Sequence, residues 1–341
     1  MDLMKVEVLL TRQCNLRCGG CRLAQNNYDE MSLEEWKKAI DIIFNDLGAS
    51  FAPMYGGEPL AMDRDKLLGI IEHVASYRNK GKDFTIISNS TLLHEKLVED
   101  LINAGMDSYT GSIDTLSSKN IHNMDAHMKK KSQAGLRWLV KLKEKYNLRD
   151  VCGIITVTKN NINKVYETIK FLSEKGIWSG VDFLHYDKSG NSQKCLDLQN
   201  MESLKIERED MNKVRKESDK ILDNYDDLLL FPSKDIVKMW KNPRYVVDLD
   251  WKCSKPICIC LDCDGSVREC DEFQGSRIRK YTIFDLKDKD TFEQFQQDYI
   301  RDVREECPGC FWSTHVLAEE AYRREKGRDY YAHRDDDLES D

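Results

Sequence analysis

Three cysteines near the start of the chain have a spacing that suits an iron–sulfur cluster. They are Cys14, Cys18 and Cys21, in the pattern C-x3-C-x2-C. A cubane cluster takes one thiolate per iron, so a short loop can bind three irons and leave the fourth open to a substrate or cofactor. The alternative is a structural zinc site, which needs four protein ligands. The next histidine along the chain is the distant His73, and this favours the cluster.

A second group of cysteines marks the C-terminal part of the chain. Seven of the twelve cysteines lie between Cys253 and Cys310. The Asp264–Gly265 pair between two short β-runs predicts a hairpin. Cys253 and Cys270 would lie at the bases of this hairpin, and the Cys307/Cys310 pair could complete a ligand set from the other side. Four cysteines in two pairs could also be a zinc ribbon, whereas the softness of the ligands suits an iron–sulfur cluster. Three further thiols could replace one of these ligands: Cys258, Cys260 and Cys263.

Glycines and small polar residues follow three predicted strands. They are Gly56, Gly57, Glu58, Ser88, Asn89, Ser112 and Asp114. Glycines let a ligand approach the backbone closely, a carboxylate can bind an ammonium group, and short polar side chains can bond ligand oxygens. The alternatives are an ordinary Gly-Gly-x-Pro turn and helix capping by Asn89 and Asp114.

The elements that must position these residues alternate between strand and helix patterns. Six strands are predicted, at 5–10, 50–55, 83–88, 107–114, 151–158 and 180–185. Helices are predicted between or after them, at 32–46, 64–79, 92–103, 133–146 and 163–175. Such repeats imply parallel strands with right-handed crossovers, and in a TIM-like barrel the active site lies at the C-terminal strand ends. We therefore predict an α/β fold, a partial (β/α)6 TIM-like barrel with a small cysteine-rich C-terminal domain.

Composition narrows the class of protein. The chain has 341 residues and a net charge of −8, which disfavours broad binding to nucleic acid. We find no signal peptide and no membrane span, and twelve cysteines without a secretion signal predict a reducing cytoplasm. The short basic run 129–131 is interpreted as a solvated helix face, and Trp178 as a core residue. The polar segment 187–250 predicts two helices, at 206–224 and 233–241. It is interpreted as an insertion or linker that contributes a lid or a sixth helix of the barrel.

The cysteine triplet resembles the signature of the radical S-adenosylmethionine (SAM) enzymes. In that family the open iron of a [4Fe–4S] cluster chelates SAM, which is cleaved to methionine and a 5′-deoxyadenosyl radical. The resemblance implies that Gly56–Glu58 matches the motif that holds the methionine amino group. Residues Ser88–Asn89 and Ser112–Asp114 resemble the family's strand-end elements. One departure is Gly20, where the family usually has an aromatic residue near the adenine.

The C-terminal cysteines resemble a twitch domain, a shortened SPASM domain that holds one auxiliary [4Fe–4S] cluster. The resemblance implies ligation by Cys253, Cys270, Cys307 and Cys310. It also implies four parts of the chain: a radical SAM barrel at 1–186, an insertion or linker at 187–250, an auxiliary domain with a C-terminal helix at 251–327, and an acidic tail at 328–341.

A radical SAM enzyme acting by oxidation or rearrangement of a small molecule is the function that the resemblance favours. The alternatives are a maturase of a ribosomally made peptide or protein, and a non-catalytic zinc-binding interaction protein. The expected partners are the small-molecule or peptide substrate and an electron donor such as flavodoxin or ferredoxin. The sequence singles out no catalytic residue beyond those expected to hold the cofactors.

Overall fold

A computed structural model describes most of the chain. The described residues are 3–18, 21, 23, 29–114, 116, 126–184, 202–271, 273–311 and 315–319. Two sequence features, Gly20 and the acidic tail at 328–341, lie outside them.

Six parallel strands form the first part of one continuous sheet. They are β1 (Lys5–Thr11), β2 (Phe51–Gly56), β3 (Asp83–Ser88), β4 (Ser108–Ser112), β5 (Asp150–Val157) and β6 (Trp178–Phe183). Neighbours in sequence pair with one another throughout this series. The predicted partial α/β barrel is therefore confirmed, and the ends of the six strands lie on one side of the sheet.

Helices connect these strands. They are α1 (Leu33–Asp41), α2 (Arg64–Ala75), α3 (Glu95–Asn103), α4 (Ala126–Glu144) and α5 (Val165–Glu174). The capping box predicted for the first helix is present, because Ser32 and Glu35 exchange side-chain and backbone hydrogen bonds. That helix continues as a π-helical turn at Ile42–Asp46. Helix α4 begins seven residues before the predicted start at 133, which matters for the site described below.

The described part of the insertion covers the β6 side of the barrel. It contains α6 (Met211–Asp223), α7 (Lys234–Met239) and α8 (Pro243–Val246), so the two predicted helices are present. Leu230 forms a parallel bridge with Ser179 of β6. The prediction for Trp178 is wrong: it begins the outermost strand of the sheet, is 36% exposed, and stacks on the exposed Phe231.

The cysteine-rich part continues the barrel sheet. Strand β7 (Cys258–Leu261) pairs in parallel with β1 on the side opposite β2, and β8 (Val267–Arg268) pairs antiparallel with β7. The predicted hairpin is confirmed, with Gly265 at its turn in a left-handed conformation (φ +89°) that glycine adopts without strain. Helix α9 (Lys289–Glu305) follows. Because β1 now has neighbours on both sides, all seven of its residues are buried.

A buried ion cluster joins the barrel to this hairpin. Arg12, just after β1, donates two hydrogen bonds to the carboxylate of Asp262, which also pairs with Arg268. Asp262 is fully buried, and charges in such a place need their partners, since an unpaired buried charge is strongly destabilising. The segment that precedes the first cysteine is thus fixed to the C-terminal part. Within the described residues, no helix is both long and apolar enough to cross a membrane.

Candidate functional site

The three N-terminal cysteines line one cavity at the C-terminal ends of the barrel strands. Its volume is about 260 Å³, and Cys14, Cys18 and Cys21 share its wall. The cysteine loop is shaped by its own backbone: Cys21 N donates to the Cys18 carbonyl (3.1 Å), and the Arg17 guanidinium donates to the Cys14 carbonyl (2.7 Å). Burial raises the pKa of the Cys14 thiol, while the hydrogen bond from the Leu16 N–H lowers it. The structure therefore brings the three predicted ligands together.

Two glycines hold the end of β2 against the segment before the cysteines. The N–H of Gly57 donates to the Thr11 carbonyl (2.8 Å), and the N–H of Glu58 to the Gln13 carbonyl (2.7 Å). A Cβ at Gly56 would lie 2.2 Å from the Thr11 oxygen, and one at Gly57 would lie 2.3 Å from the Gln13 oxygen. Glycine is required at both positions by this close approach of two backbones. Both glycines also line the cavity, as the sequence predicts for cofactor binding.

The carboxylate of Glu58 lies behind the cavity wall, and the whole residue is buried. It accepts hydrogen bonds from the Ser88 hydroxyl (2.7 Å), the Asn89 N–H (2.7 Å) and the Leu60 N–H (3.1 Å). Burial raises the pKa of Glu58, and these hydrogen bonds lower it only in part. Its side chain connects the ends of β2 and β3, whereas the resemblance implied that it contacts an ammonium group.

The end of β3 reaches the cysteine loop through an amide. Asn89 Nδ2 lies 3.9 Å from Cys14 Sγ and donates to Asn15 Oδ1 at 3.0 Å. Ser88 and Asn89 both line the cavity. Ser90 adopts a left-handed backbone (φ +61°), a conformation that glycine adopts without strain and that other residues adopt rarely.

The end of β4 provides Ser112 to the cavity wall, while Asp114 lies buried next to it. Asp114 accepts a hydrogen bond from the Thr156 N–H (3.4 Å), and its backbone carbonyl accepts one from Asn161 Nδ2 (2.8 Å). Its Oδ2 is 3.2 Å from Lys131 Nζ. Asp114 therefore ties β4 to α4 and to the end of β5.

Lys131 is a site residue that the sequence interpretation missed. It is not on a solvated helix face: its side chain is 17% exposed and lines the cavity. Burial works against its charge, but Asp114 and the nearby Cys18 outweigh burial and raise the pKa of Lys131, so it stays cationic. The helical periodicity of the sequence could have indicated this position. Residues 131, 134, 135, 138 and 142 form one helical stripe, and the other four are buried.

The rest of the wall comes from the cysteine loop and from the ends of β2, β3, β5 and β6. The other lining residues include Leu16, Arg17, Tyr55, Ile87, Thr156, Thr158 and Leu184. The Tyr55 hydroxyl donates to Asp271, whose carboxylate also accepts from Cys260 Sγ (2.9 Å). Asp271 follows the predicted ligand Cys270, so one buried contact links the cavity to the C-terminal cysteines.

A second group of thiols converges around a buried tyrosine. Tyr299 of α9 interacts electrostatically with Cys253, Cys258 and Cys270, and Cys253 interacts with Cys310. Burial raises the pKa of Cys253 well above its usual range, with the neighbouring thiols adding to this effect.

The loop that carries Cys307 and Cys310 packs against the segment before β7. The N–H of Cys310 donates to the Trp251 carbonyl (2.8 Å), and Gly309 N–H approaches Cys307 Sγ (3.4 Å). A Cβ at Gly309 would lie 2.7 Å from the Leu249 carbonyl oxygen, so this turn also depends on glycine.

The remaining thiols differ in their surroundings. Cys260 is bonded to Asp271, and Cys263 receives a hydrogen bond from Arg12 near the hairpin turn. Cys258 alone of these three lies beside Cys253 and Tyr299. It is therefore the thiol best placed to replace a predicted ligand.

Comparison with known proteins identifies the family. The model of the radical SAM superfamily matches residues 8–183, which is more than half of the chain. The chain belongs to the radical SAM superfamily.

Curated relatives match the barrel part. An uncharacterized protein of Methanocaldococcus jannaschii is 31% identical over 183 residues, covering 52% of this chain and 62% of its own length. Fe-coproporphyrin III synthase of Methanosarcina barkeri is 30% identical over 195 residues (55% and 45%), and a probable GTP 3′,8-cyclase of Methanococcus aeolicus is 29% identical over 147 residues (40% and 48%). The matches span about half the length of these relatives.

Solved structures resemble nearly the whole chain. The enzyme anSMEcpe with bound AdoMet and the Kp18Cys peptide has a TM-score of 0.62 at 16% identity, covering 94% of this chain and 97% of that chain. Streptococcus suis SuiB bound to S-adenosylmethionine has a TM-score of 0.59 at 16% identity, with coverages of 92% and 77%. The shared fold thus includes the C-terminal part as well as the barrel.

Membership of the family implies radical chemistry with a [4Fe–4S] cluster and SAM, and the cysteine-rich C-terminal part fits an auxiliary cluster. The residues present suit these groups. Soft thiol ligands share the cavity wall with small polar groups and a buried cation, which suit a cluster and a partner that carries a carboxylate and hydroxyl groups. Family membership also favours iron–sulfur over zinc at both cysteine groups.

Replacing Glu58 by Gln tests whether its side chain acts on the fold or on SAM. An amide keeps only one acceptor oxygen, so its NH2 would face either the Asn89 N–H or the donors of Ser88 and Leu60. We therefore expect the free energy of unfolding to fall by about 1–3 kcal/mol, measured by urea denaturation. Glu72→Gln, at an exposed position of α2, is the matched control and should unfold as the wild type does. A Glu58→Gln protein with wild-type stability but weaker SAM binding would contradict the structural role and restore direct contact with SAM.

Proposed function

We propose that the chain cleaves SAM at a cluster held by Cys14, Cys18 and Cys21 and then abstracts hydrogen from a substrate in the same cavity. The supporting observation is the cavity wall, where the three thiols lie with Gly56–Gly57 and Ser112. Held by these thiols, a cluster would supply the electron for reductive cleavage of SAM to methionine and a 5′-deoxyadenosyl radical. Radical SAM enzymes need a reductant, and we expect a flavodoxin or ferredoxin to serve.

The chain's own residues would bind and orient SAM. The backbone at Gly56–Gly57 would hold its ammonium group. Lys131 brings a positive charge into the wall near Cys18, where it would pair with the SAM carboxylate by a charge-assisted hydrogen bond. Asp114 keeps the Lys131 ammonium in position from behind the wall. Together with Ser112, these residues would fix the reacting end of SAM.

We further propose that Cys253, Cys270, Cys307 and Cys310 hold an auxiliary [4Fe–4S] cluster, with Cys258 as the possible replacement. Their convergence around Tyr299 and the paired loop after α9 support this. In this proposal residues 1–186 form the SAM-cleaving barrel, 187–250 an insertion, 251–327 the auxiliary domain, and 328–341 an acidic tail.

A small molecule is the substrate class that we favour. Among the relatives, the GTP 3′,8-cyclase and the Fe-coproporphyrin III synthase carry names that denote small-molecule chemistry. Oxidation or rearrangement of such a substrate is the proposed outcome.

A peptide substrate is the second candidate. Solved structures that resemble most of this chain include anSMEcpe with a bound peptide and SuiB bound to the precursor peptide SuiA. A peptide could present one side chain to the cavity while the rest lay outside it.

Removing the three N-terminal thiols tests SAM cleavage. We expect Cys14→Ala/Cys18→Ala/Cys21→Ala to release no 5′-deoxyadenosine with SAM and dithionite, because no thiolate remains to hold the cluster. Chromatography of the reaction measures the product, and iron analysis should still find the auxiliary cluster. Cys152→Ala removes a buried thiol of β5 away from both groups and should retain turnover. Undiminished 5′-deoxyadenosine from the triple variant would refute the assignment.

Lys131 and its neighbour Lys130 provide a matched pair. We expect Lys131→Met to weaken SAM binding about ten-fold or more, since a charge-assisted hydrogen bond contributes about 1.5–3 kcal/mol. Lys130→Met removes the same charge from an exposed position of α4 and should bind SAM like the wild type. Equilibrium dialysis on reconstituted protein gives both affinities. Equal affinities for the two variants would show that Lys131 does not contact SAM.

The substrate class can be tested by deuterium transfer. Cells grown in deuterated medium would supply a low-molecular-weight fraction and a peptide fraction. We expect the low-molecular-weight fraction to give more deuterated 5′-deoxyadenosine, because hydrogen abstraction transfers a substrate deuteron to the radical. Mass spectrometry measures the label. Deuterium transfer from the peptide fraction alone would favour the second candidate.

A further inference from the structure

Two polar groups from outside the cysteine-bearing loops contact the sulfur of Cys253. The hydroxyl of Tyr299 is near it and, by hydrogen bonding, acts against the rise in the pKa of the Cys253 thiol. On another side, Nδ1 of His315 lies 3.7 Å from Cys253 Sγ. Both residues are almost fully buried, at 1% and 3% exposure. Neither has a role in the function proposed above.

Tyr299 is held with its hydroxyl near the predicted sulfur ligands and the Glu269 carboxylate. It lies on the buried face of α9, and its ring packs near Phe295. Its hydroxyl interacts with Cys253, Cys270 and Cys258. A phenol is protonated at neutral pH, so it donates its hydrogen bond to the sulfur.

His315 is held from the barrel side. Its Nε2 lies 3.6 Å from Glu7 Oε2 on β1, and the other oxygen of Glu7 is 2.6 Å from Lys5 Nζ. The helical turn 315–319 is tied to the segment after Cys253, because Glu319 accepts hydrogen bonds from Ser254. The imidazole ring is therefore fixed between a strand of the barrel and a predicted cluster ligand.

The distances decide between two roles for His315. Ligands to different irons of a cubane must be well separated, so a ring nitrogen 3.7 Å from Cys253 Sγ cannot serve a neighbouring iron without moving. The same distance suits a hydrogen bond from a protonated Nδ1 to the sulfur, which is the tautomer that this role requires. His315 is therefore a positioning residue beside the ligand.

We propose that Tyr299 and His315 hydrogen-bond the Cys253 thiolate and raise the reduction potential of the auxiliary cluster. This inference rests on the proposed auxiliary cluster. Hydrogen bonds to ligating sulfur withdraw negative charge and stabilise the reduced cluster, so they make it a better electron acceptor. Such tuning suits a reaction in which a substrate radical is oxidised.

The test measures the potential directly. In the Cys14→Ala/Cys18→Ala/Cys21→Ala background only the auxiliary cluster remains, and an electron paramagnetic resonance redox titration gives its midpoint potential. Tyr299→Phe removes one oxygen atom, and we expect the potential to become more negative. Tyr281→Phe is the matched control, because the Tyr281 hydroxyl donates a hydrogen bond to Asp298 on the same helix. The midpoint potential of the cluster in this variant should be unchanged.

A second pair of variants keeps the test independent of folding effects at Tyr299. His315→Leu removes the polar group and should also lower the potential, whereas His315→Gln keeps an N–H donor and should lower it less. Unchanged potentials in Tyr299→Phe and His315→Leu, with full iron content, would overturn this inference and leave the auxiliary cluster in place. A triple-cysteine background without any cluster would overturn the auxiliary assignment, and this inference with it.

Discussion

The close approach of two backbones, at Gly56–Gly57 and at Thr11–Gln13, is the contact on which the cysteine-lined cavity depends. Two hydrogen bonds of 2.8 and 2.7 Å join these segments, and a single Cβ on either glycine would collide with a carbonyl oxygen. The contact fixes where the cysteine loop begins relative to the end of β2. Glu58 extends it to the end of β3 through its bonds to Ser88 and Asn89. Three strand ends and the loop therefore form one hydrogen-bonded unit.

The pairing of β7 with β1 brings the two groups of cysteines into one framework. Because β1 is an interior strand, residues in it and directly after it can contact the surroundings of both groups of cysteines. Arg12, near the first cysteines, is clamped to Asp262 of the hairpin, while Glu7 faces His315 beside Cys253. The contact between the Tyr55 hydroxyl and the Asp271 carboxylate joins the cavity to the same region. The C-terminal part thus supports the cavity as well as carrying its own thiols.

Much of this arrangement could be predicted from the sequence, because it follows local rules. The spacing of Cys14–Cys21, the alternating strands and helices, and the glycine turn at Gly265 each carry a short-range signal. The errors concern the direction in which a side chain points. Lys131 was judged by its basic neighbours, although its helical stripe is buried, and Trp178 was placed in the core, although its strand is at the sheet edge. The hydrogen-bond partners of Glu58 could not be predicted, because only the tertiary fold supplies them.

An anaerobic crystal structure of reconstituted protein with SAM tests the central claim most directly. The account predicts a [4Fe–4S] cluster on Cys14, Cys18 and Cys21, with the methionine end of SAM between that cluster and Gly56–Gly57, and a second cluster beside Tyr299. A single zinc ion at the first three cysteines, or SAM bound away from this cavity, would contradict it.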